Sequence, residues 1–345
     1  MNKKQLYEQM HQKLHNIVPE VELRYKAELA YEIIQLKKEK NALILGHNYM
    51  EPALFHSIPD VTGDSLELSR IAAEAEQDII VFCGVEFMAE TAKILNPNKK
   101  VLIPSNEAGC SLAESITAED VRKLRAKFPG IPVVAYVNTY ADVKAEIDIC
   151  CTSGNAKAVI ESLDSDTVIF LPDEFLAKNI AKETGKRIII PDIMNNKLQI
   201  PENDGFEMIG WKGRCEVHEK FNVSDINDIR SQFPDVVIVT HPESSPEVVA
   251  ASDYSGGTRS MIEFVKNTEA PHFLILTECS MGDNIAAENP DKDMLRLCSV
   301  RCPHMNTITL ESTLKTLQEE IYEVHVPEEI RVKALRSVQR MLEIG

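Results

Sequence analysis

The chain has 345 residues, of which 44% are hydrophobic and 26% charged, with a formal net charge of −17 at pH 7. That length exceeds one ordinary core and predicts two or three domains, and the composition is that of a globular protein. The negative charge excludes broad binding to nucleic acid or anionic membranes, while a small anionic substrate held by local donors stays open.

The start, MNKKQLYEQMHQKLHNIV, is charged and amphipathic, and one helix is expected over about residues 3–39. It has no apolar block of the signal-peptide kind, so a cytoplasmic location is expected. From residue 42 onward β-rich runs alternate with helical ones. Strands are expected in NALILGH, DIIVFCG, KVLIPS, PVVAYVN, TVIFLP, RIIIPD, VVIVTHP and HFLILTE. Helices are expected in SLELSRIAAEAE, EFMAETAKIL, AEDVRKLRAKF, NAKAVIESL, EFLAKNIAKETG, TRSMIEFVKN and MGDNIAAEN, with a closing pair over about 309–321 and 327–343. Apolar strands that do not alternate, separated by helices, predict parallel sheets covered on both faces. Even the longest apolar runs fall far short of the roughly 20 residues of a membrane span.

A longer period underlies this alternation. Three times the chain runs strand, polar cluster, small-residue turn opening a helix, second strand and helix, then a lone cysteine. The first pass reads LILGHNY, DVTGDS, IIVFCG and IPSNEAGC, ending at Cys110. The second reads VVAYVNT, CCTSGN, VIFLPD and WKGRC, ending at Cys215. The third reads VVIVTHPE, DYSGGT, FLILTE and LCSVRC, ending at Cys302. Each of TGDS, TSGN and SGGT precedes a helix, so backbone N–H groups and the positive dipole end face whatever sits in front. One copy reads as an ordinary N-cap; three copies in register predict a shared anion site at the carboxyl ends of the strands.

In a reducing compartment the eight cysteines are expected in cores, catalysis or metal binding, not disulfides. Cys83, Cys150, Cys151 and Cys279 adjoin apolar runs and read as core. Cys110, Cys215 and Cys302 each close a repeat and begin a helix, where thiolate is favoured. No C-x-x-C knuckle of a structural zinc site occurs in the chain. Three thiolates from three equivalent domains can meet on a pseudo-threefold axis and hold three irons of one [4Fe-4S] cluster, leaving the fourth iron open as a Lewis acid. A non-catalytic iron–sulfur sensor would use the same thiolates but needs no polar residues at every strand end. A zinc hydrolase built on His47, His241 and Glu243 lacks a helical H-x-x-x-H pair.

Taken together, GHNYMEP, TGDSLELSR, AYVN, CTSGNA, GRCEVH, THPE and CPHMNTITLESTL, spread from about residue 40 to 320, resemble the quinolinate synthase family. The resemblance implies three similar α/β/α three-layer domains with short parallel sheets around a pseudo-threefold axis, with the active site and a [4Fe-4S] cluster at the centre. It implies the condensation of iminoaspartate with dihydroxyacetone phosphate to quinolinate, a precursor of NAD. The enzyme that produces iminoaspartate, an L-aspartate oxidase or dehydrogenase, is the expected partner, with no nucleic acid or membrane. Domains are expected at 1–131, 132–235 and 236–306, with the helices of 307–345 packing on the first. By motif, His47 and Tyr49 correspond to an active-site pair in which the tyrosine moves protons. Ser65 (beside Asp64), Tyr136, Asn138, Ser153 and Thr258 correspond to substrate contacts, and His241 and Glu243 to a further pair with the glutamate as general base. Cys110, Cys215 and Cys302 are the implied cluster ligands. His218 stands three residues after Cys215, where relatives also carry a nearby histidine. Cys298 is expected at the end of a DMLRLC helix and outside the ligand set.

Overall fold

The structure is a computed structural model and describes residues 2–194, 197–199, 205–297 and 299–344. Among the described residues, fifteen strands form three parallel sheets and a hairpin. The first sheet contains β1 (Ala42–His47), β2 (Val61–Gly63), β3 (Ile79–Cys83) and β4 (Lys100–Leu102) in the order β2-β1-β3-β4. The second contains β5 (Val133–Tyr136), β6 (Ile149–Cys151), β7 (Val168–Leu171) and β8 (Ile188–Ile189); the hairpin of β9 (Asp192–Met194) and β10 (Lys197–Gln199) follows, and β11 (Met208–Ile209) completes the sheet as β6-β5-β7-β11-β8. The third contains β12 (Val237–Thr240), β13 (Tyr254–Ser255), β14 (His272–Leu276) and β15 (Asp293–Arg296) in the order β13-β12-β14-β15. Every pairing within the three sheets is parallel. β1, β3, β5 and β7 are buried along their whole length, as strands covered by helices on both faces must be. The expected α/β/α class with three similar units is therefore the observed one.

The repeat extends to a tie that fixes each sheet. Asp60, Asp148 and Asp253 each stand just before the edge strand, and each donates its backbone N–H to the first strand, at Ile44, Val133 and Ile238 respectively. The same three aspartates accept, through Oδ2, the N–H of those same strand residues at 2.9, 2.8 and 2.8 Å. A basic residue from the preceding helix pairs with each: Lys37, Arg125 and Arg230 at 2.9, 2.8 and 3.0 Å. Removing one of these carboxylates strands a strand N–H. Asp148→Ala is expected to cost about 1–3 kcal/mol, with Asp148→Asn losing less because an acceptor oxygen remains. Thermal unfolding checks this, and equal midpoints for wild type and Asp148→Ala would refute it.

Three local expectations are corrected. The N-terminal segment is two helices, Lys3–Leu14 and Glu20–Glu39. Pro19 caps the second, and its ring and missing N–H forbid a continuous helix. The DMLRLC stretch is not helical: Asp293–Arg296 is β15, drawn into the sheet by pairing with β14. The expectation for Cys298 lies outside the described residues. The run RIIIPD yields only the two-residue β8, because Pro191 has no N–H to extend a ladder, and β11 inserts between β7 and β8.

The first two sheets and the terminal helices share one continuous core, while the third sheet has a cluster on each face. Phe273 and Ile275 face one cluster and Leu274 and Leu276 the other, as the period of two along β14 requires. Helix Leu310–Glu319 packs on Glu20–Glu39 and β3, and helix Glu328–Leu342 lies across Glu86–Leu95, Ala141–Lys144 and β6. Among the described residues no helix is long and apolar enough to cross a membrane.

Candidate active site

The aspartate ties establish which residues are equivalent between units. Counting three residues along from Ile44, Val133 and Ile238 reaches His47, Tyr136 and His241; two more reach Tyr49, Asn138 and Glu243. Counting five residues from Asp60, Asp148 and Asp253 reaches Ser65, Ser153 and Thr258. With Cys110, Cys215 and Cys302, these are four sets of three, and all twelve side chains line a single cavity beyond the carboxyl ends of β1, β5 and β12. His47, Tyr136, His241, Glu243 and Thr258 are buried; the others are half-buried.

The three small-residue turns differ in detail. Asp64 is spent on capping, its Oδ1 accepting the Glu67 N–H at 2.9 Å, so Ser65 opens helix Ser65–Ala73 with its hydroxyl facing the cavity. Gly257 caps helix Thr258–Asn267 without a side chain. A Cβ at Gly257 would lie 2.9 Å from Ser153 Oγ, so glycine is what lets the second and third turns approach. Ser153 Oγ in turn reaches His241 Nε2 at 3.3 Å, and Asn48 Nδ2 donates to Thr258 Oγ1 at 2.9 Å.

A hydrogen-bonded chain crosses the cavity floor. Tyr136 donates its O–H to Glu243 Oε1 at 2.5 Å. His218 Nδ1 lies 2.8 Å from Glu243 Oε2, and its Nε2 lies 2.8 Å from Thr277 Oγ1. Thr277 Oγ1 is 2.7 Å from the Tyr49 hydroxyl. Because a carboxylate only accepts, His218 donates from Nδ1 to Glu243 Oε2. The Thr277 hydroxyl joins His218 Nε2 to the Tyr49 hydroxyl, so the chain runs unbroken from Tyr49 to Glu243. His218 stacks on His241 with ring centroids 4.6 Å apart.

Burial sets the charge states. It pushes the His47 and His241 imidazoles down to about 4 and about 3, leaving both neutral at pH 7. It also pushes the Tyr49 and Tyr136 hydroxyls well above their ordinary range, with the Glu243 charge adding to the effect. Burial opposes charge on Glu243 too, but the neighbouring histidines and the hydrogen bonds from His218 and Tyr136 outweigh it, holding the carboxyl below its usual range.

The three cysteines share one local geometry. Backbone N–H groups two and three residues on lie against each sulfur: Leu112 and Ala113 at Cys110, Val217 and His218 at Cys215, His304 and Met305 at Cys302. These donors do not suffice for the thiolate expected from a helix start. Burial prevails, pushing Cys110 up to about 12, Cys302 up to about 11 and Cys215 well up. Three sheltered thiols of this kind become thiolates only when a cation compensates them, which is the behaviour of metal ligands. Cys83, Cys150, Cys151 and Cys279 are buried, as expected of core residues. Cys215, His218 and Glu243 also place one donor atom each within 4.8 Å of one another, a set able to hold a single metal ion.

Thr277 and Asn48 escape a reading of sequence, and His218 is legible only through its spacing from Cys215. Thr277 follows an apolar strand as many structural threonines do, and its partners come from two other units.

The family described as quinolinate synthetase A protein matches residues 31–343. Quinolinate synthase 2 of Mesorhizobium japonicum is 47% identical over 335 residues, covering 97% of each chain. Quinolinate synthase of Agrobacterium fabrum is 48% identical over 335 residues, 97% of this chain and 91% of its own length. Quinolinate synthase of Xylella fastidiosa is 50% identical over 312 residues, 90% of this chain and 86% of its own.

Proposed function

The chain belongs to the quinolinate synthetase A family, and from that premise we propose that it is the cytoplasmic enzyme condensing iminoaspartate with dihydroxyacetone phosphate in NAD biosynthesis. The atoms balance as quinolinate, phosphate and two waters. The observation that carries the reading is the lining of one cavity by four sets of three equivalent residues. Domain limits at 1–131, 132–235 and 236–306 follow the repeat, and the enzyme that makes iminoaspartate, an L-aspartate oxidase or dehydrogenase, is the natural partner.

Cys110, Cys215 and Cys302 would hold a [4Fe-4S] cluster, which supplies a Lewis acid through an iron without a protein ligand. The chain's own residues do the rest. Ser65, Ser153 and Thr258, with the N–H groups behind them, receive the carboxylates and phosphate of the substrates. Two dehydrations and an isomerisation need repeated proton transfer. Tyr49 gives and takes protons at the substrate, and Thr277 and His218 relay them to Glu243. His47 and His241, neutral at pH 7, offer hydrogen bonds to the bound substrate. Asn138 and Tyr136 orient the bound substrate from the second unit.

Protein prepared without oxygen is expected to be brown, to carry about four irons with matching labile sulfide per chain, and to form quinolinate. Full activity with stoichiometric zinc and no sulfide would overturn the cluster and favour the single-ion set of Cys215, His218 and Glu243.

A further inference from the structure

Three buried side chains outside the cavity grip the backbone on either side of three site residues. Asn284 Nδ2 donates to the carbonyls of Asn48 and Met50 at 3.2 and 2.9 Å, so both amide hydrogens flank Tyr49. Asn179 Nδ2 donates to the carbonyls of Pro242 and Ser244 at 2.8 and 2.9 Å, flanking Glu243. Lys144 Nζ donates to the carbonyls of Val137 and Thr139, flanking Asn138. Tyr49, Asn138 and Glu243 are the equivalent positions of the three units.

The two asparagines occupy the same place in the fold. Each is the sixth residue of the helix after the second long strand of its unit, Glu174–Glu183 after β7 and Cys279–Glu288 after β14. Each reaches out of its own unit, the second gripping the third and the third gripping the first. The first-unit helix of the same rank, Glu86–Leu95, completes the ring differently. Its Glu90 accepts the Ala141 N–H at 2.8 Å, at the start of the short helix that carries Lys144. Asn179, Asn284 and Lys144 are each at most 4% exposed, so no water competes for their hydrogens. Asn284 Oδ1 has no hydrogen-bond partner among the described residues. A buried amide kept with its acceptor unmet is retained for its donors.

We propose that Asn284, Asn179 and Lys144 are positioning residues that set Tyr49, Glu243 and Asn138 by clamping the backbone on both sides of each, two of the three clamps being supplied by the neighbouring unit. The assignment rests on the proposed function for what is lost in turnover, and on local backbone order for what is not. A displacement near 1 Å at a reacting group costs on the order of 10²-fold. Anaerobically prepared Asn284→Leu and Asn179→Leu are therefore expected to lose roughly 10- to 100-fold in kcat, with KM and iron content near wild type. Lys144→Met is expected to act mainly on KM, because Asn138 contacts substrate.

Amide hydrogen exchange read by mass spectrometry gives the second readout. Exchange should quicken over residues 47–51 in the Asn284 variant only and over 241–245 in the Asn179 variant only. Asn289→Leu is the control, a buried asparagine capping the same helix as Asn284 through Ile285 O at 2.8 Å, with no side-chain hydrogen bond to a site loop among the described residues. It should lower the melting point and leave kcat alone. If a leucine variant does not fold, Asn284→Ser and Asn179→Ser, which keep one donor, are expected to fall between wild type and the full loss. Wild-type kcat in either variant, an equal loss in Asn289→Leu, or unchanged exchange at the clamped segments would overturn the clamps. Wild-type protein that makes no quinolinate overturns the functional reading alone, since the exchange pattern still decides the clamps.

Discussion

Tyr49→Phe and Glu243→Gln each lose about 10²-fold or more in quinolinate formation while keeping the iron of the wild type. Neither residue is among the proposed ligands, and both substitutions preserve shape. Tyr49→Phe removes the hydroxyl at one end of the Tyr49–Thr277–His218–Glu243 chain. Glu243→Gln removes the charge at the other end and turns one oxygen into a donor, leaving a single acceptor for the Tyr136 O–H and the His218 N–H. The lost base and the lost acceptor act together, so the glutamine variant is expected to be the worse of the two. Steady-state turnover beside iron analysis measures both, and near-normal rates in an iron-replete variant would remove that residue from the proton path.

Cys302→Ser loses both iron and quinolinate formation, whereas Cys298→Ser keeps both. The sulfur of Cys302 lines the cavity and has the N–H groups of His304 and Met305 against it, the arrangement repeated at Cys110 and Cys215. Pro303 directly after it fits the first position of the turn, where no N–H is wanted. Cys298 stands two residues after the end of β15 and has no counterpart in the other two repeats. Iron content and product formation of the two variants, purified without oxygen, separate them; the reverse pattern would move the third ligand to Cys298.

Much of this architecture is legible in sequence because strand and helix differ in period and length, and because each repeat ends on a cysteine. His47, Tyr49, Tyr136, Asn138, His241 and Glu243 reach the cavity because each ends or closely follows an apolar parallel strand, and Ser65, Ser153 and Thr258 because each stands in the turn or helix start after an edge strand. What is not legible is whatever depends on pairing across space. β2, β6 and β13 are only two or three residues long, too short to stand out beside the polar turns that follow them, and become strands through the aspartate ties that hold them beside β1, β5 and β12. Thr277 gains its meaning only when β14 brings it between Tyr49 of one unit and His218 of another. Asn179 and Asn284 read in sequence as unremarkable polar residues of amphipathic helices. The break at Pro19 did carry a local signal, and the helical pattern on both sides of it masks that signal.

The four sets of three do not diverge equally. The cysteine set is uniform, Cys110, Cys215 and Cys302, and the hydroxyl set nearly so, Ser65, Ser153 and Thr258; the other two sets are not, reading His47, Tyr136, His241 and Tyr49, Asn138, Glu243. A fully uniform chamber would admit a ligand in three rotations of equal energy, of which at most one aligns the reacting atoms. The two unequal sets lift that degeneracy. The frame thus keeps its rotational symmetry where a rounded inorganic core would sit, and gives it up where a lopsided organic molecule must be told which way to face.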